Sequence, residues 1–400
     1  MTPDERGTPE ATSAARLVQE FDHWDPELAK DPFSVYDGLR AQCPVAHSDA
    51  YGGFFVLSRY EDIEAAARDH ETFSSRSISV PDPGVMPSSP PLDLDPPRHT
   101  AFRRVLLPYF SPGRTQKLEP ITRAVAAGLV QDFVEQGHCD VARDFAKHVP
   151  IAVLSHVLGV EPGDEELFSN WTDLIVSGGP DPEVSANANV DIRDYFARLI
   201  EERSRQPEDD LATFLVNAEV ENEAMSTADQ LGVASLLLVA GIDTTWCMLG
   251  TSFWWLAQHA DARQRLIDDP ALWPNAVEEL LRRFGPVSVV RIVTKDVSID
   301  GQMIPEDEHV LLPFPAGNLD EEAFPEPYSV QLDRAPNRHL AFGAGVHRCI
   351  GAHLARMELR VGLEEFLRAI PDFELDGDDP VSWKPGQIRG PSRLLLRWSR

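Results

Sequence analysis

One cysteine of this chain sits in a setting suited to chemistry. Cys349 lies in the run Phe342-Gly343-Ala344-Gly345-Val346-His347-Arg348-Cys349-Ile350-Gly351, which leads into Ala352-His353-Leu354-Ala355-Arg356. Three glycines around one sulfur permit tight turns and close approach of the backbone to a flat ligand. Apolar spacing resumes at once, which predicts that Cys349 stands at or just before the first turn of a helix. There the unpaired amides and the positive helix end favour a thiolate over a thiol. Such a sulfur is a sound axial ligand for iron, and its electron donation favours O–O cleavage. Two other readings stay open: a buried structural cysteine, or a nucleophile, for which no base, orienting group and oxyanion site can be named. Zinc is disfavoured, because no second cysteine lies nearby to complete a ligand set.

A second constellation interrupts an apolar run. Leu236-Leu237-Leu238-Val239-Ala240-Gly241-Ile242-Asp243-Thr244-Thr245 places a carboxylate and hydroxyls in a predicted helix of roughly 30 residues, apolar on nearly every side and therefore buried. Ser226-Thr227-Ala228-Asp229-Gln230 opens it, with Thr227 as N-cap and Gln230 as its capping-box partner. Gly241 lets a small ligand approach the backbone, and a threonine can bond back to a carbonyl one turn earlier and bend the helix. A buried carboxylate is costly unless something uses or satisfies it. Asp243 and Thr244 therefore read either as a satisfied polar kink or as a proton relay.

Two charged clusters are weaker signals. His99 and Arg103 lie one i,i+4 step apart on a helix opened by Asp95-Pro96-Pro97; taken alone they read as solvated. Glu279 and Arg282 lie three apart on the helix Val277-Glu278-Glu279-Leu280-Leu281-Arg282-Arg283 and can pair; taken alone they read as a surface ion pair.

The elements that must position these groups are mostly helical. Asp31-Pro32 caps a short helix; Phe54 to Leu57 reads as strand, Tyr60 to Ala67 as helix, and Ser74 to Pro97 as a long Pro- and Ser-rich loop. Helical spacing runs from His99 to about Val160, over Glu165 to Leu174 and Val190 to Ser204 around Gly178-Gly179-Pro180, and through most of Ala224 to Leu281. Strand-like runs follow at Val287 to Val293, Val297 to Ile304 and Val310 to Leu312; after the helix from about Ile350 to Ala369 come Val381 to Trp383 and Leu394 to Trp398.

Length alone, at 400 residues, favours two domains, a prior that fails when a long helical protein folds around a large cofactor. The formal charge of −29 repels a phosphate backbone, so no nucleic-acid partner is expected. The longest apolar stretch, about Leu231 to Ile242, is ended by Asp243 short of the ~20 residues a bilayer needs, and the N-terminus carries no apolar signal core. Four cysteines are too few for a disulfide scaffold. A cytoplasmic, reduced, monomeric protein with no membrane partner is the simplest expectation.

The cysteine run resembles the haem-binding loop of the cytochrome P-450 family, matching its diagnostic positions from Phe342 to Gly351, and the Ala240–Thr245 stretch resembles the family's oxygen-activation motif. The resemblance spreads from about His99 to the C-terminus, nearest the camphor-type bacterial branch at Glu279-Leu280-Leu281-Arg282-Arg283-Phe284 and Arg291-Ile292-Val293-Thr294-Lys295-Asp296. It implies a mainly α fold: a triangular helical body around a long central helix with a small β-rich region, residues 21–400 as a single domain and 1–20 as a flexible tail. It implies haem b held by Cys349, with Ala240, Phe342, Gly343 and Gly351 against it and His99, Arg103, Arg291 and His347 on its propionates. Thr244 is similar to the hydroxyl that steadies dioxygen, and Asp243 to the acid that passes protons inward from solvent. Glu279 and Arg282 become a buried structural pair, with Arg334 as third member.

The same resemblance places the substrate among Ser77 to Leu92, Leu236, Val239 and Ala240, Val287, Val289 and Val290, and Pro385 to Ile388. That inventory is apolar, which implies a small hydrophobic substrate such as a terpenoid. The implied reaction inserts one oxygen atom from O2 into a C–H bond. No flavin, ferredoxin or nicotinamide segment is visible, so electrons are expected from an iron–sulfur ferredoxin with an NAD(P)H-dependent ferredoxin reductase. Its dock would be a basic patch drawn from Arg103, Arg104, Arg348 and Arg356, with Arg103 assigned to the propionates. A peroxide-driven haem enzyme and a non-catalytic haem sensor are the alternatives. One departure stands out: in Ala316-Gly317-Asn318-Leu319-Asp320, Leu319 replaces an arginine common in the family, which puts local packing and docking in doubt.

Overall fold

Proline, acid caps and apolar spacing set most of the helix boundaries in the computed structural model, which describes residues 16, 20–82, 87–161, 163–177 and 182–399. The expected tail 1–20 lies almost wholly outside the described residues, as does the loop 178–180. Asp31 caps the helix Pro32–Gln42, accepting from the N–H groups of Phe33 and Ser34. The helices that matter for the site are α1 (Tyr60–Arg68), α2 (Arg98–Leu106), α3 (Pro112–Phe133), α4 (His148–Leu158), α5 (Thr227–Ala257), α6 (Trp273–Phe284) and α7 (Ala352–Ala369).

The cap of α5 differs from expectation by one residue. Ser226, not Thr227, is the N-cap; its hydroxyl accepts from Asp229 N at 3.1 Å and donates to the Asp229 carboxylate at 2.8 Å. The carboxylate three positions on completes the box. Gln230 turns inward, where its amide donates to the carbonyls of Leu215 and Met225 at 3.2 and 3.1 Å. The helix also continues well past Asp243, so it is long and apolar enough to cross a bilayer by length and composition; 67% of its most apolar window is nevertheless buried within the protein. Its first half packs through Leu238 and Ile242 against Leu354 and Val361 of α7. Its second half packs through Leu249 and Phe253 against Leu363 and Phe366. Helices α5 and α7 thus run through both helical cores, and whatever α7 presents at its N-terminal end is fixed relative to the middle of α5.

Two sheets flank this body. The strands β1 (Val45–Ser48), β2 (Phe54–Leu57), β3 (Phe73–Ser74), β4 (His138–Asp140), β5 (Ser288–Val293), β6 (His309–Pro313), β7 (Glu374–Leu375), β8 (Val381–Lys384) and β9 (Gly390–Arg397) form them. The larger sheet has the order β1-β2-β6-β5-β3, with β2 and β6 parallel and the other pairs antiparallel. In the smaller, β9 pairs with β7, β8 and β4. The β8–β9 hairpin is wedged onto α5: a Cβ on Gly390 would stand 2.4 Å from Cys247 Cβ, and one on Gly250 2.6 Å from Pro391 Cγ.

The Glu279–Arg282 pair is fully buried at the end of α6. Arg282 donates to the Glu279 carboxylate at 2.8 and 2.9 Å and to the carbonyls of Asn318 and Pro327 at 2.9 and 2.8 Å. Arg334 is the third member, its Nε 3.0 Å from both carboxylate oxygens. Leu319 is buried, and the turn around it is held from outside its own segment: Arg40 Nη1 donates to Ala316 O at 2.7 Å, beside the Arg282 contact to Asn318 O. Asn318 Oδ1 accepts from Leu340 N at 2.6 Å, and Asp320 accepts from Tyr60 N at 2.8 Å.

Candidate active site

The cysteine loop is fixed by its backbone. Cys349 N donates to Phe342 O at 2.8 Å and Gly343 N to Leu340 O at 2.7 Å. Gly343 and Gly345 take φ values of +69° and +67°, the left-handed region that favours glycine. A Cβ on Gly345 would also stand 2.6 Å from Ala67 O at the end of α1. Gly351 is the N-cap of α7, so Cys349 precedes the first helical turn as its spacing predicts. The residue is accessible although protein encloses its sulfur, so the opening is internal rather than on the outer surface. Burial pushes the thiol up, against the pull of the Gly351 N–H and of the Arg103, Arg348 and Arg356 guanidiniums. The helix end alone therefore does not ionise this sulfur; coordination to a metal would.

On α5, Leu236, Val239, Ala240 and Thr244 are partly or fully accessible, while Leu237, Leu238, Ile242, Asp243 and Thr245 are buried. Separations of three (236 to 239) and four (236 to 240, 240 to 244) put the accessible residues on one helical face. An accessible stripe flanked by core residues in mid-helix lines an internal opening. Thr244 Oγ donates to Ala240 O at 2.9 Å, the expected back-bond. Gly241 serves a different neighbour from the one expected. A Cβ there would stand 2.5 Å from Leu154 Cδ1, so this glycine lets α4 pack against α5 rather than a ligand.

Asp243 differs from expectation as well. Its carboxylate is buried and ion-paired to Lys384 at the end of β8, with Cys247 Sγ 3.6 Å away. The acid is turned to the hairpin and closed off from solvent. Nothing in the sequence spacing joins Lys384 to a residue 141 positions earlier. A second group that sequence reasoning missed is Glu358, on α7 and buried, whose Oε2 accepts from Thr245 Oγ1 at 3.4 Å while Oε1 has no partner. Burial pushes this carboxyl up to about 8, although Thr245 pulls it down.

The basic residues converge. The rings of His99 and His347 lie 4.1 Å apart, and both buried nitrogens of His99 lack a partner. His347 Nε2 lies 3.0 Å from Ser75 Oγ. Burial, then Arg103, lowers His99 to about 4; burial, then Arg291 and His99, lowers His347 to about 2. Arg291 is buried, donates to Val290 O at 2.7 Å, and is lowered to about 10 by burial, with Asp95 opposing. Among the described residues, neither Arg103 nor Arg291 forms an ion pair with a carboxylate. Two arginines and two histidines gathered without a paired acid make a site for an anionic group rich in acceptor oxygens, and the propionates of a haem fit it. The glycine loop, the sulfur and the accessible α5 face fit the rest of that group.

Strand alternation sorts the three valines. Val287 and Val289 are partly accessible and share the face of Arg291, whereas Val290 points the other way, is 0% exposed and belongs to the core of the larger sheet. Val290 is therefore a packing residue. The turn 385–388 joins Val287 through a bridge at Ile388 and through Ser288 N to Gln387 O at 2.7 Å, while Gln387 Nε2 donates to Ile78 O at 2.9 Å. Of the loop 77–92, residues 83–86 lie outside the described residues. In the docking set, Arg356 is engaged: it holds Glu278 through Nε and, at 2.8 Å, through Nη2, and lies 4.4 Å from the Phe342 ring. Arg104 and Arg348 remain exposed.

The family model for cytochrome P450 matches residues 271–387. Cytochrome P450 130 of Mycobacterium tuberculosis is 34% identical over 399 residues, covering 95% of this chain and 98% of that protein. The chain belongs to the cytochrome P450 family. This P450 is also 34% identical to the steroid C26-monooxygenase of Mycolicibacterium smegmatis, over 90% of this chain and 91% of that one. It superposes on the crystal structure of CYP101C1 with a TM-score of 0.88 at 32% identity, covering 95% and 97% of the two chains. The protein is accordingly a haem b monooxygenase with the P450 fold.

Proposed function

We propose that this P450 hydroxylates a small hydrophobic substrate of the terpenoid class, drawing electrons from an iron–sulfur ferredoxin and its NAD(P)H-dependent reductase. The observation that carries the reading is the accessible stripe Leu236, Val239, Ala240 and Thr244, apolar but for one hydroxyl, in the middle of a helix whose neighbouring residues Leu237, Leu238, Ile242, Asp243 and Thr245 are buried. Helix α7 ties that stripe to the cysteine loop. Cys349 would hold the iron, Phe342, Gly343, Gly351 and Ala240 would bound the ring, and His99, Arg103, Arg291 and His347 would bind its carboxylates. Bound haem supplies dioxygen activation and C–H oxidation.

The chain's own residues do the rest. Val287 and Val289, with Leu236 and Val239, hold the substrate by shape and keep water away from it. Thr244 Oγ presents a proton at the dioxygen site, and Asp243 resupplies it. We read residues 21–400 as one domain of a monomeric, cytoplasmic enzyme.

The test is a difference-spectrum titration of the holoprotein with camphor, a steroid, a fatty acid and an aromatic, followed by product analysis with a surrogate ferredoxin system. A shift and a hydroxylated product with camphor or another terpenoid are expected. Tight binding of steroid alone would sink the substrate class. Loss of the red-shifted carbon monoxide band in a Cys349→Ser holoprotein is the companion expectation; its persistence would remove Cys349 as ligand. Thr244→Ala should leave the binding shift intact while peroxide replaces product, and full coupling in that variant would refute the relay.

A further inference from the structure

Two guanidiniums away from the haem cage lie close together with no acid to neutralise them. Arg283, in the last turn of α6, and Arg389, just past the turn 385–388, both line a small cavity bordered by His23, Tyr36 and Ser288. Arg389 spends Nε on Ala29 O at 2.6 Å and Nη2 on Lys30 O at 3.4 Å. Arg283 spends Nε on Tyr328 O at 3.3 Å, and its Nη1 is buried without a partner. The Phe33 ring centre lies 4.0 Å from the Arg283 guanidinium and 5.5 Å from that of Arg389. Among the described residues, neither arginine forms an ion pair with a carboxylate. The acids that bear on them are engaged elsewhere: Asp31 caps the helix Pro32–Gln42, and Asp37 holds Arg40. Burial lowers Arg283 to about 10, and burial, with Arg283 adding to it, lowers Arg389 to about 10.

Two like charges desolvated side by side cost free energy that a bound counter-ion returns. The cavity between them measures about 30 Å³, room for one or two particles the size of water. That admits a monatomic anion and excludes sulfate, phosphate esters and organic acids. His23 adds no positive charge there: its Nε2 donates to Val80 O at 2.8 Å, and burial lowers the ring to about 4, so it stays neutral. We infer that the pocket between Arg283 and Arg389 is a halide site, with chloride as its natural occupant and Arg283 Nη1 as a donor to it. A chloride seated there joins the N-terminal helices Pro26–Lys30 and Pro32–Gln42 to the end of α6 and to the segment 385–389. Ile388 of that segment bridges to Val287, so the ion braces one wall of the substrate chamber from behind.

The test uses the haem-loaded full chain and needs neither a substrate nor a redox partner. Its melting temperature is followed while sodium chloride replaces sodium gluconate at a constant ionic strength of about 0.2 M, gluconate being too large for the cavity. The midpoint should rise by about 2 °C and level off as the site fills. Arg283→Met removes the unpartnered donor and one of the two cations, so the rise should vanish in it; the same comparison separates the site from general salt effects. A second measurement does not depend on how that variant folds. Crystals of the native holoprotein grown with sodium bromide should show an anomalous peak within hydrogen-bond reach of Arg283 Nη1. A midpoint indifferent to the exchange overturns the inference, and so does a rise that survives in Arg283→Met. Bromide ordered elsewhere in the crystal and missing here overturns it too. A bromide peak at this place with no effect of chloride in solution would mean an adventitious ion only, and the site would again be rejected.

Discussion

Replacing Glu279 with glutamine isolates the energetics beneath the cysteine loop. The carboxylate, 0% exposed, faces Arg282 at 0% and Arg334 at 8% side-chain exposure. It also accepts from Gln331 N at 3.0 Å and from Asn337 Nδ2 at 3.1 Å. Glutamine keeps the shape, removes the negative charge between two guanidiniums and turns one acceptor into a donor aimed at donors. Removing one partner of a buried pair costs about 3–5 kcal/mol. The carbonyls that still accept from Arg282 soften the loss, so we expect about 4 kcal/mol, a large part of a total of about 5–15 kcal/mol. With an m-value of about 4 kcal/mol per molar for a chain of this size, the urea midpoint falls by about 1 M. The titration is followed by circular dichroism and by haem absorbance. Adding Arg334→Met, which removes one orphaned cation, should recover part of the loss. A loss below about 1 kcal/mol, or no recovery, refutes the argument.

Glu358 gives a pH signature. Its folded carboxyl, raised to about 8 from 4.5 by burial, keeps a proton that the unfolded chain has released. The stability that this group contributes is therefore full below about pH 4.5 and is lost as pH rises towards about 8. Glu358→Gln should flatten that slope in urea midpoints measured at several pH values, and an unchanged slope would contradict it. Arg104→Glu should raise the KM for ferredoxin at low salt and not at high salt, with the substrate-binding shift unaltered; native reduction kinetics would count against this face as the dock. Gly390→Ala should cost about 1–3 kcal/mol by pushing β9 off Cys247. A melting temperature equal to that of the native chain would mean the hairpin foot is not tight.

Much of this was legible in the sequence because local rules carried it. The glycine spacing around Cys349, the long apolar segment, and the i,i+3 spacing of Glu279 and Arg282 each act within one or two turns of chain. What failed to show depends on partners far away in sequence. Lys384 meets Asp243 only because the β8–β9 hairpin folds back on α5. Gly241 is explained by Leu154 of α4, which no spacing could indicate. Val290 departs from expectation for a local reason: the period of two in a strand separates it from Val289 and Arg291. The cap of α5 moved by one residue because serine and threonine stood side by side, and the acid three positions on decided between them.

Segments near the two ends of the described chain meet at the turn 385–388. Gly386 N donates to His23 O at 2.8 Å, and Trp24 packs where a Cβ on Gly386 would stand, 2.7 Å away. Residues 381–397 are made after the helices from Pro32–Gln42 to Trp273–Phe284, so those helices can begin to fold before the hairpin that closes onto His23 and Trp24 exists. Helix formation should thus precede closure of this seam, in which residues 23–24 wait for residues 381–397.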